Sequence, residues 1–338
     1  MNLFIFICQQ TLIFLVPLLL VGLGDLFSER SGVLNIALEG IMVFGAFAGI
    51  MFIRSASAAM PSWLVLLIAI LISILAGILL SSLHAFASIH LKAEQTISST
   101  AIITFATAFC IFYARVMLGT EQVVFRNTFR IDAVPLLSKI PVLGPILFQK
   151  AYVTTYLGIL VLIVTAFILK RTRFGLRLRS CGENPQAADS VGISVYKMRY
   201  SGVLISGALA GLGGLVFILP TTTTYTASVS GYGFLAMSVV VFGQWKPWGI
   251  ALGALFFGLT KTIAASYSAC VSIFSASMME RMYSRRSRLL SGADCRLYAD
   301  GALMAAAREA ACAGVKSAAS TPNVTSAAAC TPYAPCPK

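Results

Sequence analysis

Two side chains in the apolar run Val33–Ile53 could do chemistry: Asn35 and Glu39, one helical turn apart. A carboxylate inside a hydrocarbon layer is costly and usually faces protein or water. Glu39 therefore has two readings. It bonds nearby backbone or the Ser28–Arg30 loop, or it lines a translocation path or gate. Counting a helical rise from Val33 puts it ~9 Å deep. Thr100, Thr104 and Thr107 recur at i, i+4 and i+7 in the run Ile97–Leu118 and share one helix face. Threonines in membrane helices often bond their own backbone, so packing competes with pore lining there. Asn35, Glu39, Thr100 and Thr104 are the candidate path residues. Other chemistries find little support. His84 and His90 are the two histidines; they share no helix face well and lack a Cys or carboxylate cluster, so no metal site is expected. No nucleophile–base pair or paired carboxylates stand out, so no catalytic residue is assigned and the chain is not expected to be an enzyme. "GALFFGLTKT" approaches a phosphate loop, but Leu259 stands where the lysine is needed.

The elements that must carry these residues are membrane helices. The chain of 338 residues is 58% hydrophobic and 11% charged, against about a quarter charged in soluble domains. Its mean hydropathy is +0.87. So much apolar side chain exceeds what a water-soluble core can use, and the excess must face lipid. The net charge of +13 fits basic loops on the cytoplasmic side, and no nucleic-acid-binding signature accompanies it. The expected spans are Leu3–Leu23, Val33–Ile53, Ser62–Leu83, Ile97–Leu118, Tyr152–Leu169, Ser201–Leu219 and Trp248–Ala264. No basic residue precedes the first run and no small-residue cleavage site follows it, so it reads as a retained helix rather than a signal peptide. Phe234–Phe242 is apolar but too short to cross, and reads as a re-entrant half-helix. Gly45 and Gly49, Gly207 and Gly211, and Gly249 and Gly253 stand at the spacing that lets helix backbones approach closely. The predicted fold is an all-α polytopic bundle of about seven spans plus that half-helix.

Orientation follows from Lys170, Arg171, Arg173, Arg177, Arg179, Lys197 and Arg199, which gather in one connection and place it in the cytoplasm. The loops around Glu29 and Lys92 then fall inside, and the N-terminus and the 119–150 connection outside. Within the basic connection, Asn184 followed by Pro185 is a helix start: Asn caps free N–H groups, and Pro tolerates the first position, where no N–H is needed. The helix continues over Gln186–Val191 and stops at Gly192. The next begins near Ser194 and runs into a span. Ala187, Ala188 and Val191 give this short surface rod a small apolar side, with Gln186 and Asp189 opposite. It is an ordinary loop helix or a docking knob. "TTTTYT", Thr221–Thr226, begins the following loop and is either a polar turn or a substrate contact.

Three stretches carry a family resemblance. "RTRFGLRLRSCGENPQAADSVGISVYKMRYSGVLISGALAGLGG" resembles the cytoplasmic coupling segment of ABC importer permeases of the ribose and nucleoside branch. "LFSERSGVLNIALEGIMVFGAF" and "GYGFLAMSVVVFGQWKPWGIALGALFFG" resemble its first and third signatures, in the family's order. The resemblance implies a bacterial inner-membrane permease domain over 1–268, with the coupling segment at 170–199 docking on an ABC ATPase subunit. Glu183, Asn184, Pro185, Ala188, Asp189 and Gly192 inherit the docking role by position. It further implies a second homologous permease and an extracytoplasmic binding protein that sets most of the selectivity. ATP and Mg would belong to the ATPase; none is expected in this chain. The implied cargo is a nucleoside or a nucleoside-like solute such as riboflavin. A simple sugar carried by the same machinery, or an ion-coupled secondary transporter using Glu39, are the alternatives.

Residues 269–338 change character, turning rich in Ala, Ser, Arg and Cys without a further apolar span. Members of the family continue with more spans. This tail is expected to reflect a shifted reading frame or truncation and to be largely disordered. Its cysteines have neither C-x-x-C spacing nor histidines beside them, which disfavours zinc.

Overall fold

The computed structural model describes residues 2–56, 60–125 and 153–267. In chain order the elements are α1 (Asn2–Arg30), α2 (Leu38–Ser55), α3 (Ser62–Ala85), which runs on as a π-helical turn over Phe86–His90, α4 (Gln95–Leu118), β1 (Val123–Val124), α5 (Val153–Arg171), α6 (Arg173–Glu183), α7 (Pro185–Ser190), α8 (Val195–Thr221), β2 (Thr224–Tyr225) and α9 (Tyr232–Phe242). A last helix, α10, covers Pro247–Tyr267. Six helices among the described residues are long and apolar enough to cross a membrane. They are the later part of α1, then α2, α3 with its π turn, α4, α8 and α10. α5 holds the place of the expected Tyr152–Leu169 span and abuts residues outside the description. The expected tail domain, 269–338, and most of the 119–150 connection also lie outside the described residues. Met1–Ala265 forms one compact unit, and it holds every element discussed below except the last two residues of α10.

α8 is the central post, with α1, α2 and α3 packed around it. Small residues make this possible. Gly45 of α2 faces the Gly211 Cα, where an added Cβ would stand 2.5 Å away. Gly77 of α3 faces the Gly207 carbonyl, and Gly214 faces the Met42 carbonyl. With no hydrophobic drive between helices inside lipid, such close backbone approach supplies the van der Waals contact that holds them. The Ser73 hydroxyl adds a 2.6 Å hydrogen bond to the Gly211 carbonyl. The opposite face of α3 shows Leu67, Leu71, Leu75 and Leu79 at four-residue spacing, all exposed. That stripe is suited to hydrocarbon. The Gly207 and Gly211 pair is thus a real seam. Gly249 instead packs on Gly243 in the bend between α9 and α10, and Gly253 on Val239.

The second expected span needs correction. Helix begins only at Leu38; Val33–Asn35 carries no helix, and Ile36–Ala37 turns into α2. A helical rise counted from Val33 therefore does not place this stretch; its partners do. Asn35 donates to the Ser206 hydroxyl at 3.0 Å, and Ser206 stands ~16 Å along α8 from its start. Non-helical backbone at such depth must find partners. Ser28 donates to the Val33 carbonyl at 2.8 Å, the Leu34 N–H to Gln95 at 2.8 Å, and His84 Nε2 lies 3.1 Å from the Leu34 carbonyl. His84 thus serves the backbone of the break.

A second break mirrors the first from the far end. After α8 the chain runs back inward without helix. β2 pairs antiparallel with β1, Val123 opposite Tyr225 and Val124 opposite Thr224. Arg54 at the end of α2 donates to the Val124 carbonyl at 3.2 Å. Within "TTTTYT", Thr221 ends α8 and Thr224–Tyr225 form this short ladder, with the Tyr225 ring buried on Phe47 and its hydroxyl donating to the Val43 carbonyl at 2.7 Å.

Candidate functional site

The two breaks meet at Glu39. One carboxylate oxygen accepts from the Gly231 N–H at 2.9 Å and the other from the Gly233 N–H at 2.6 Å. These are N–H groups at the start of α9, which an α-helix leaves without internal partners. The anion also sits at the positive end of the helix dipole. Glu39 thus spends both oxygens on holding the re-entrant half-helix against α2. Gly231 takes φ +77°, and Gly233 lets the Glu39 backbone approach: a Cβ there would stand 2.5 Å from the Glu39 nitrogen. From this cap α9 runs alongside α1, with Gly22 near Val240 and the Ala236 carbonyl, to the bend at Gly243. Asn35 is buried beside α8, and its Oδ1 has no hydrogen-bond partner.

The other candidate path residues stand elsewhere. Thr100 and Thr104 are exposed on α4 and bond their own helix, Thr100 to the Ile97 carbonyl and Thr104 to the Thr100 carbonyl, both at 3.0 Å. With Ile97, Ala101, Phe105 and Ala108 they form one open face of α4. Phe105, Phe109 and Tyr113 continue the α4 wall as a ladder of rings 5.8 and 6.1 Å apart. Phe109 also meets Phe44 and Tyr113 meets Phe47, both on α2. The four residues do not converge: Asn35 faces α8, Glu39 faces α9, and the threonines face out from α4.

Sequence reasoning passed over Asp25. It is fully buried in α1, and neither carboxylate oxygen has a hydrogen-bond partner. The signal was a carboxylate in an apolar run. It was missed because the expected first span ended at Leu23, two residues short.

At the end of the bundle that carries the basic residues, the connection between α5 and α8 is two helices rather than one. α6 was not anticipated. The Thr172 hydroxyl caps it, accepting from the Gly175 N–H at 3.2 Å. It buries Gly175, Leu178 and Cys181 and shows Arg173, Leu176 and Arg177 outward. Gly175 lies on the backbone of Ile168 and Leu169, and Gly182 on the backbone at Arg30. α7 follows as expected. The Asn184 side chain accepts from the Ala187 N–H at 3.1 Å, and Pro185 takes the first position. Its end is closed by Gly192 at φ +82°, with the Ile193 N–H returning to the Ala188 carbonyl at 3.1 Å. Glu183, Asn184, Asp189 and Gly192 are exposed, and Pro185 is half-buried. Ala188 departs from the expected outward apolar side. It is 4% exposed, packed into its own chain, so the outward apolar groups of this rod are Ala187, which is exposed as expected, and Val191, 78% exposed. Glu183, exposed, stands 3.9 Å from the half-buried Arg30 guanidinium. Cys181 is buried, and burial pushes its thiol above the ordinary value, against smaller pulls from Ser180 and Arg199.

Comparison with known proteins identifies this architecture. The family model described as "Branched-chain amino acid transport system / permease component" matches residues 7–281. The guanosine ABC transporter permease protein NupQ of Bacillus subtilis is 44% identical over 264 residues, covering 76% of this chain and 81% of that protein. The nucleoside ABC transporter permease protein NupC of Lactococcus lactis is 40% identical over 262 residues, with the same coverage of 76% and 81%. The putative glucose ABC transporter permease protein TsgC13 of Haloferax volcanii is 35% identical over 248 residues, 72% of this chain and 71% of its own. No solved structure gives a significant match.

Proposed function

We propose, from the premise that this chain belongs to the branched-chain amino acid transport system permease-component family, that it carries nucleosides inward as one translocation subunit of an ATP-driven importer. The chain is an ABC-type permease, a multi-pass protein of the bacterial inner membrane. The observation that carries the cargo is the likeness to permeases named for guanosine and for nucleosides at 44% and 40% identity. The Thr100, Thr104 and Phe105 surface of α4 suits such a cargo, since a flat base stacks on rings and a ribose takes hydroxyl contacts. A glucose cargo is the second reading, because a glucose-named permease is 35% identical. Riboflavin, a further nucleoside-like solute, is retained only as a test substrate.

The working partners are an ABC ATPase subunit, which supplies ATP and Mg, a second permease and an extracytoplasmic binding protein. Closure of the ATPase presses on α7 through Glu183, Asn184, Pro185, Asp189 and Gly192. α6 passes the movement to the ends of α1 and α5, and α8 receives it directly. Helices packed without gaps transmit rather than absorb such a push. Glu39 holds α9 to α2 so that the break moves as one body. This division of labour disfavours Glu39 as an ion-coupling group, since both its oxygens are engaged. The test is uptake into vesicles holding this chain, its second permease, its ATPase and its binding protein, with guanosine, other nucleosides, glucose and riboflavin as substrates. ATP-dependent guanosine uptake is expected. Uptake driven as well by a proton gradient without ATP overturns the reading.

A further inference from the structure

A cavity of about 280 Å³ opens at the end of the bundle where α1, α5, α6 and the bend before α10 converge. Four cationic side chains line it, namely Arg30, Lys170, Arg179 and Lys246. They come from four separate places in the chain, so the fold assembles the charge. Among the described residues no carboxylate lines the cavity. Two acids stand nearby: Glu29 accepts from the Trp245 indole N–H, and Glu183, 3.9 Å from Arg30, partly offsets that one cation, while Lys170, Arg179 and Lys246 have no ion pair among the described residues. Arg30 is further oriented by donating to the Trp245 carbonyl at 3.0 Å. Arg179 Nε lies 3.4 Å from the Gly175 carbonyl. The remaining wall is apolar, made by Leu169, Pro247 and the Trp245 ring.

We propose that this cavity binds a phosphate group, that of an anionic phospholipid head. Arg30 has Glu183 beside it, but Lys170, Arg179 and Lys246 share the cavity without a carboxylate of their own, and such like charges repel one another unless an anion joins them. Guanidinium forks match phosphate geometry, and lysine adds compact charge. Basic pockets between helices at the membrane surface take up anionic lipid heads. The surroundings favour a lipid over a free ion. Tryptophan prefers the headgroup level. Both helices ending at the cavity carry apolar side chains outward, Ile163 and Phe167 on α5, and Trp248 and Leu252 on α10. Acyl chains have a surface to follow. The lipid would bridge α1, α6 and the α9–α10 bend.

The test uses the full chain in non-ionic detergent, following tryptophan emission, since Trp245 lines the cavity. It is titrated with short-chain phosphatidylglycerol, with short-chain phosphatidylcholine and with inorganic phosphate. Phosphatidylglycerol is expected to bind at least about tenfold more tightly than phosphatidylcholine, with the preference fading as salt rises. The pair Lys170→Gln and Arg179→Gln should erase that preference, while Lys92→Gln, an exposed basic residue outside the cavity, should keep it. If the double variant does not fold, Lys246→Gln and the salt series in the unaltered chain carry the same decision. Equal binding of the two lipids, or a preference that survives in the variants, overturns the proposal. Inorganic phosphate binding as tightly as phosphatidylglycerol keeps the phosphate chemistry and overturns the lipid as its source. Loss of ATPase from the complex in the double variant, without any lipid preference, makes the cavity a protein-docking surface and also overturns it.

Discussion

The short rod α7 and the half-helix α9 are both capped at their N-termini, yet by opposite means. α7 is capped by its own neighbour: Asn184 accepts from Ala187 three residues on. α9 is capped from far away: Glu39 reaches Gly231 and Gly233 almost two hundred residues later. The first arrangement survives in water, where solvent serves any N–H the cap leaves free. The second stands inside the bundle, where no solvent substitutes, so a charged partner must be brought by the fold. A local cap makes a surface element that can be altered without disturbing its surroundings. A distant cap makes two elements depend on each other.

Five substitutions and one labelling experiment test that contrast. The largest effect is expected from Glu39→Ala, which leaves two N–H groups of α9 without an acceptor. Thermal unfolding in detergent should show a loss of about 2–4 kcal/mol, with transport falling in step. Glu39→Gln provides the sharper reading: stability close to that of the unaltered chain with transport lost would return Glu39 to an ion-coupling role. Next comes Gly214→Ala, whose new methyl meets the Met42 carbonyl in the α2–α8 seam. Overpacking of this kind costs about 1–3 kcal/mol, and an unchanged unfolding temperature would mean the seam is looser than described.

The surface rod should behave differently. Asp189→Lys is expected to weaken co-purification of the ATPase about tenfold, or about 1.4 kcal/mol, without shifting the unfolding temperature. Asn184→Ala removes the local cap at about 1 kcal/mol, again felt in association before stability. Equal damage to folding from these changes would erase the contrast between the two helices. The smallest effect concerns Cys181. Its thiol is raised by burial, so less thiolate is present at neutral pH and labelling is slow. In a chain whose other cysteines are serine, a maleimide should modify Cys181 about tenfold more slowly than a cysteine placed at Asp189, the rate for both climbing as pH rises. Reagent confined to the outside should reach neither. Fast labelling from outside would put the rod on the wrong face of the membrane.

Much of this was legible because the relevant physics is local. Asn184-Pro185 and Gly192 announce α7 within nine residues, and apolar runs of membrane length announce the spans. The Gly207 and Gly211 pair signals close packing by spacing alone. α6 escaped because its arginines read as a basic loop; Gly175, Leu178 and Cys181 become a buried face only when α1 and α5 lie beneath them. Ala188 was assigned outward for the same reason, since a small apolar residue carries no mark of which surface covers it. The break before α2 escaped because Val33, Leu34, Ile36 and Ala37 are apolar like any helix, with Asn35 the one polar residue among them.

From its sequence alone this protein is a polytopic helical permease with a capped rod in its basic connection, since hydropathy and short-range capping need only neighbouring residues. Tertiary structure alone decided that Glu39 holds α9, that Val33–Asn35 enters the bundle without helix, and that four distant cations share one cavity. Those depend on which backbone groups lack partners and which charges lack counterions once the helices are packed, a sum that no stretch of chain contains by itself.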